Sequence, residues 1–141
     1  MYLKIEHIGI AVKSLETALP LYSEAFGMDV DRIETVPDQK TRVGLIPVGE
    51  SRLELLEATN ADSAVARFIE KRGEGIHHIC LQVDDLEALI CRLKTAGIRM
   101  VDDKPRRGAD GCLVAFVHPS SAGGVLFELS ERSPARAPAG I

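Results

Sequence analysis

Apolar and polar positions alternate with period two between Lys4 and Lys13, with Ile8, Ile10 and Val12 on one side and His7, Gly9 and Ala11 on the other. This alternation predicts a strand. The period then lengthens. Leu15, Ala18, Leu19, Tyr22 and Phe26 recur at helical spacing behind Ser14, a residue suited to an N-cap, and Gly27 stands where the helix should end. Pro20, inside that segment, is expected to kink the helix or delay its start. Three short strands are predicted next, in MDVDRIETV, RVGLIPVG and SRLELLEA, with a hairpin turn at Gly49–Ser51. A helix over Asp62–Gly73 gathers Val65, Phe68 and Ile69 on one face.

The order then restarts. Gly75–Val83 predicts a strand and Asp85–Ala96 a helix closed by Gly97; IRMVDD, CLVAFVHP and GVLFELSE predict three further strands. IEHIGIAVKSLE and IHHICLQVDDLE superimpose at an offset of 71, which matches His7 with His78, Val12 with Val83 and Leu15 with Leu86. The closing strands LELLE and FELSE match Glu54 with Glu128 at an offset of 74. Each half reads strand–helix–strand–strand–strand. A half of about 70 residues buries too little apolar surface alone, so the two should share a fold.

The expected class is therefore α+β, with two βαβββ modules related by a pseudo-twofold. One domain is expected over 1–133, with module one about 1–60, a linking helix about 61–73 and module two about 74–133. The Pro- and Ala-rich stretch at 134–141 reads as a flexible tail.

Composition narrows the function. The 141 residues are 45% hydrophobic and 27% charged, which permits a packed interior. A net charge of −4 argues against general nucleic-acid binding. Three cysteines, Cys80, Cys91 and Cys112, without a Cys-x-x-Cys spacing, make neither a disulfide framework nor a zinc finger. No stretch reaches the roughly 20 apolar residues that span a bilayer. No cleavage-type signal is read at the N-terminus, and a cytoplasmic location without membrane partners is expected.

Strand parity locates the candidate chemistry. Residues at i and i+2 share a face. Ile8, Ile10 and Val12 should pack on the following helix, leaving His7 on the other side. Ile79, Leu81 and Val83 should do the same, leaving His78 with Cys80 and Gln82. Glu54 alternates with Leu53 and Leu55, and Glu128 with Phe127 and Leu129. Each half thus offers one His and one Glu away from its helix. A pseudo-twofold would bring the four into one metal-binding cup, and two imidazoles with two carboxylates suit one divalent ion such as Co, Zn, Mn, Ni or Fe. A lone strand His is more often a packed core residue; repetition is what favours the metal reading. His77 has the opposite parity to His78. His118, before Pro119, is expected to anchor a turn or line the cup edge.

IEHIGIAV, VGESRLELLEAT, FIEKRGEGIHHICLQVDDL, DDKPRRGADG and VAFVHPSSAGGVLFEL resemble the vicinal oxygen chelate (glyoxalase/bleomycin resistance/dioxygenase) superfamily, over nearly everything from Ile5 to Leu129. Within it, the nearest resemblance is to the methylmalonyl-CoA epimerases, carried above all by EKRGEGIHHI. The resemblance implies metal ligands at His7, Glu54, His78 and Glu128. It implies Glu128 as catalytic base; Glu54, its partner in the repeat, is the natural candidate for the opposite face, with one or both glutamates expected to leave the ion when substrate binds. It also lends weight to Arg106, Arg107, Gly108, Ser120 and Ser121 as contacts to an acyl-CoA substrate, and a homodimer is the expected assembly. Two departures stand out. Some family members carry a second carboxylate base in the strand near Val43, where the nearest acid in sequence here is Asp38. The family often has Lys where this chain has Ser120. The implied reaction interconverts (R)- and (S)-methylmalonyl-CoA by removal and return of a proton through an enolate. The alternatives are a glyoxalase I-like lactoylglutathione lyase and a non-enzymatic drug-binding protein of the same fold.

Overall fold

The alternating segment forms β1, Tyr2–Ala11. The computed structural model describes residues 1–108 and 111–132; the tail expected at 134–141, like Ala109 and Asp110 of the basic loop, lies outside the described residues. The chain divides into two compact units, His7–His77 and Met1–Glu6 with the chain from His78 onward, so β1 is shared end to end between them.

In the His7–His77 unit, β2 (Arg32–Val36), β3 (Thr41–Val48) and β4 (Ser51–Ala58) follow in the order β2-β3-β4-β1. β2, β3 and β4 pair antiparallel, whereas β4 runs parallel to β1. Val48 pairs with Ser51, so the hairpin turn is Gly49–Glu50, and Gly49 adopts φ 57°. The parallel pair requires a crossover, and α1 (Leu15–Pro20) lies in it. Ser14 caps α1 by accepting the Thr17 N–H at 3.3 Å. The α-helix stops at Pro20 and the next turn widens to a π turn over Leu21–Ala25, with the Phe26 N–H reaching the Leu21 carbonyl at 2.9 Å. The proline ring crowds the carbonyl four residues earlier and offers no N–H, which accounts for the change of pitch. Ile10, Val12, Leu53 and Leu55 pack with Leu15, Leu19 and Tyr22. On the other face Ala11, Val43, Leu45 and Leu56 pack with Val65, Phe68 and Ile69 of α2, Ala64–Arg72. β2 starts only at Arg32, because Met28 and Val30, expected in that strand, pack with the α1 cluster instead.

The other unit repeats the pattern. β5 (Gly75–Val83), α3 (Leu86–Thr95), β6 (Arg106–Arg107), β7 (Leu113–Val117) and β8 (Phe127–Glu131) give the strand order β1-β5-β8-β7-β6. The first and last strands of this module, β5 and β8, again run parallel. Leu81, Val83, Phe127 and Leu129 pack on Leu86, Ile90 and Leu93 of α3.

IRMVDD does not form the expected strand. Among the described residues it makes one isolated bridge, Met100 to Val117. The module's second strand is β6, inside the segment expected to be a loop. The cause is Asp102. Its Oδ2 accepts the Phe116 N–H at 2.8 Å, so a side chain stands where a neighbouring strand's carbonyl would have to be.

Candidate metal centre

In the His7–His77 unit, the parallel register sets His7 beside Arg52 and Gly9 beside Glu54. Leu53 and Leu55 turn toward α1, so Glu54 must face the other way, with His7. His7 Nδ1 lies 3.4 Å from Glu54 Oε2, and both side chains are nearly buried, at 8% and 13% exposure. Arg52, two residues before Glu54, donates from Nη2 to the same Oε2 at 2.7 Å.

The second module builds the same pair from β5 and β8. His78 Nε2 lies 3.3 Å from Glu128 Oε1, with side-chain exposures of 9% and 15%. Cys80 registers with Glu128, and its thiol donates to the Ser130 hydroxyl at 3.4 Å. Across the sheet Phe116 pairs with Glu128, and its ring meets the His78 ring edge-on, centroids 6.2 Å apart.

Each separation, taken by itself, fits two ligands of a metal ion. Bonds of about 2.0–2.2 Å to a divalent ion put neighbouring donors about 3.0–3.5 Å apart. A charge-assisted hydrogen bond between imidazolium and carboxylate would close to about 2.7–2.9 Å. Nitrogen and carboxylate oxygen together suit a first-row divalent ion, and each module offers one of each.

The remaining candidates fall as follows. His77 faces the Phe68 ring, with centroids 5.0 Å apart, on the opposite parity from His78. His118 anchors a turn: its Nδ1 accepts the Ser120 N–H at 3.0 Å. Arg106 and Arg107 point to opposite faces of β6. Arg106 Nε donates to Asp102 Oδ1 at 3.0 Å, and its guanidinium lies over the Phe116 ring, 5.5 Å from the centroid. Gly108 donates its N–H to the Cys112 carbonyl at 2.8 Å and packs tightly on Val114. The Ser121 hydroxyl accepts the Arg99 N–H at 2.9 Å, and the amides of Ser121, Ala122 and Gly124 bond to His118 and Pro119 carbonyls. Val43 is buried beside Leu56 and Glu34, and Asp38 lies in the turn Pro37–Gln39.

Sequence reading missed four contributors: Arg52, Asp102, Glu57 and Glu131. Glu57 and Glu131 carried a signal, since they match at the same offset of 74 as Glu54 and Glu128. Each accepts the first N–H of its module's helix, Leu15 at 2.8 Å and Leu86 at 2.7 Å.

Residues 6–116 match the glyoxalase/bleomycin resistance protein/dioxygenase superfamily. The chain belongs to that superfamily. Its two βαβββ modules are those of the superfamily's vicinal oxygen chelate fold. The uncharacterized protein YqjC of Bacillus subtilis is 39% identical over 91% of this chain and 91% of its own length. The ethylmalonyl-CoA/methylmalonyl-CoA epimerase of Cereibacter sphaeroides is 38% identical, covering 91% of this chain and 97% of its own. Among solved structures of this superfamily, methylmalonyl-CoA epimerase in complex with methylmalonyl-CoA and NH4+ superimposes with a TM-score of 0.86 at 35% identity, over 98% of this chain and 100% of that one.

Proposed function

We propose that the chain is an epimerase that interconverts the (R) and (S) forms of methylmalonyl-CoA, with His7, Glu54, His78 and Glu128 holding one divalent ion. The observation that carries this reading is the repeated, buried imidazole–carboxylate pair, at 3.4 Å in one module and 3.3 Å in the other. Relatives spanning nearly the whole chain and named for this epimerisation support it. When bound, a divalent ion supplies positive charge to the oxyanion of the enolate.

The proton transfers belong to side chains. The carbon between thioester and carboxylate bears a weakly acidic proton. Glu128, as carboxylate, removes it and becomes the carboxylic acid. Glu54, which would have to leave the ion and carry a proton to do so, returns one to the opposite face of the planar enolate. The reverse direction exchanges the two roles. Inversion needs donors on both faces, and one glutamate from each module meets that need without an acid at Val43.

Purified protein incubated with methylmalonyl-CoA in deuterated water should interconvert the two forms and incorporate deuterium at that carbon. The glutathione–methylglyoxal hemithioacetal should remain unconsumed. Turnover of the hemithioacetal without exchange in methylmalonyl-CoA would replace this reading with the lyase.

A further inference from the structure

The two imidazole–carboxylate pairs are built alike but are not flanked alike. In the first unit His7 pairs in register with Arg52, and Gly9 with Glu54, so Arg52 stands beside His7 and on its face. In the repeat, the pairing of Ile8 with Leu53 becomes that of Ile79 with Phe127. The offset of 74 that carries Glu54 onto Glu128 carries Arg52 onto Leu126, whose carbonyl accepts the Ile79 N–H at 3.1 Å. One module therefore places a guanidinium where the other places a branched hydrocarbon.

Arg52 donates from Nη2 to Glu54 Oε2 at 2.7 Å, and that same oxygen lies 3.4 Å from His7 Nδ1. It is the oxygen that an ion held by His7 would also claim. The Glu54 side chain is only 13% exposed, so water screens these charges less than it does at the surface. Outer partners ordinarily orient a ligand and raise its affinity for metal. A full positive charge on the ligating oxygen itself works the other way. The guanidinium draws part of the carboxylate's charge from the ion, and the two cations repel.

We propose that Arg52 is the positioning residue of Glu54: it weakens that glutamate's hold on the ion and keeps the carboxylate in place once it is off. This rests on the metal-dependent epimerase reading above. That reading requires Glu54 to leave the ion before it can serve the substrate carbon. The substrate brings a carboxylate and a thioester oxygen of its own, which can stand in for one glutamate. The flanking residues select which one. Glu54 has a second cation to stay with, whereas the matching place in module two holds a leucine.

The test measures binding of Co2+ to the metal-free protein, and of methylmalonyl-CoA to the Co2+-loaded protein, by calorimetry on the whole chain. Arg52→Met should bind Co2+ about tenfold more tightly, the size of one charge-assisted hydrogen bond, and methylmalonyl-CoA several-fold more weakly. Arg52→Lys keeps the charge and should stay within about threefold of wild type for both. In a Glu54→Gln background, Arg52→Met should change neither. A merely structural loss would instead weaken both ligands together. Weaker or unchanged Co2+ binding in Arg52→Met would overturn the proposal. So would a loss of methylmalonyl-CoA binding that persists in Glu54→Gln, since Arg52 would then contact the substrate directly. Wild-type protein that takes up no Co2+ would sink the metal reading, and this proposal with it, before any variant is made. Protein that binds Co2+ but interconverts nothing leaves the Co2+ comparison intact, so failure of the epimerase reading is seen separately.

Discussion

The carboxylate of Glu131 accepts the backbone N–H of Leu86 at 2.7 Å, at the first turn of α3. The two residues are 45 positions apart, and Glu57 does the same for Leu15 across 42. Asp85 and Ser14 supply the local caps, accepting the Ala88 and Thr17 N–H groups, so two different first-turn donors of each helix are satisfied, one from nearby and one from its module's last strand. Negative charge at a helix N-terminus is also favourable. Glu131→Ala should lower unfolding free energy by about 1–2 kcal/mol, the range of a lost cap and charged hydrogen bond. Glu57→Ala should cost more, because Glu57 also binds Arg42 at 2.9 Å. Urea denaturation with an unchanged m-value checks both, and a loss below about 0.3 kcal/mol in Glu131→Ala would show the bond to be incidental.

For proton transfer, Glu128→Ala should abolish deuterium exchange at the substrate carbon, by a factor of 100 or more as expected for a general base. Glu54→Gln should block interconversion of the two forms while one of them still exchanges its proton with solvent. That split separates two bases from one. Exchange and interconversion both unchanged in Glu54→Gln would return both transfers to Glu128.

Chelator treatment provides an independent readout of the ligand set. Removal of a stoichiometric divalent ion should lower the Tm, and readdition should restore it, since a ligand bound only by the folded state stabilises by mass action. Elemental analysis should then find the ion lost from His7→Ala and from His78→Ala alike. Full metal content in either variant would remove that imidazole from the site.

How much of this was legible beforehand follows from distance along the chain. The alternation around His7 and His78 is local, and parity alone set His78 apart from His77, whose ring meets Phe68. Pro20 signalled a disturbance, and the π turn after it is its form. What escaped were bonds between a side chain and a distant backbone. Asp102 reaches Phe116 across 14 residues and ends the ladder that IRMVDD should have continued. Nothing in the local pattern of valine, methionine and aspartate announces that. Arg52, by contrast, stood two residues from Glu54 and on its face, and strand parity could have found it.

Gly108 tests the packing beneath the basic segment. A Cβ there would come 2.8 Å from Val114 Cγ1. Gly108→Ala should therefore destabilise by about 1–3 kcal/mol through overpacking. Val114→Ala opens space for that methyl group, so the double variant should lose less than the two single losses added. Strict additivity would mean that the glycine serves something other than fit.

The ion pair between Lys40 and Asp62 gives a pH prediction. The Lys40 ammonium, hydrogen-bonded to Asp62, holds its carboxyl below the ordinary value. A depressed folded-state value means the contribution is present above the unfolded value and is lost as pH falls through the folded one. Both side chains are exposed, so the effect on stability is small. Carboxylate NMR should show the Asp62 midpoint rise toward its ordinary value in Lys40→Met; an unmoved midpoint assigns the shift elsewhere.

A strand divided between two units also constrains how this protein can be cut or rearranged. A fragment beginning near Gly75 would lack the Tyr2–Glu6 backbone that borders β5, and would show unpaired amides and carbonyls to any neighbour. Expressed apart, the second half should associate or aggregate until a peptide of the first residues is returned to it.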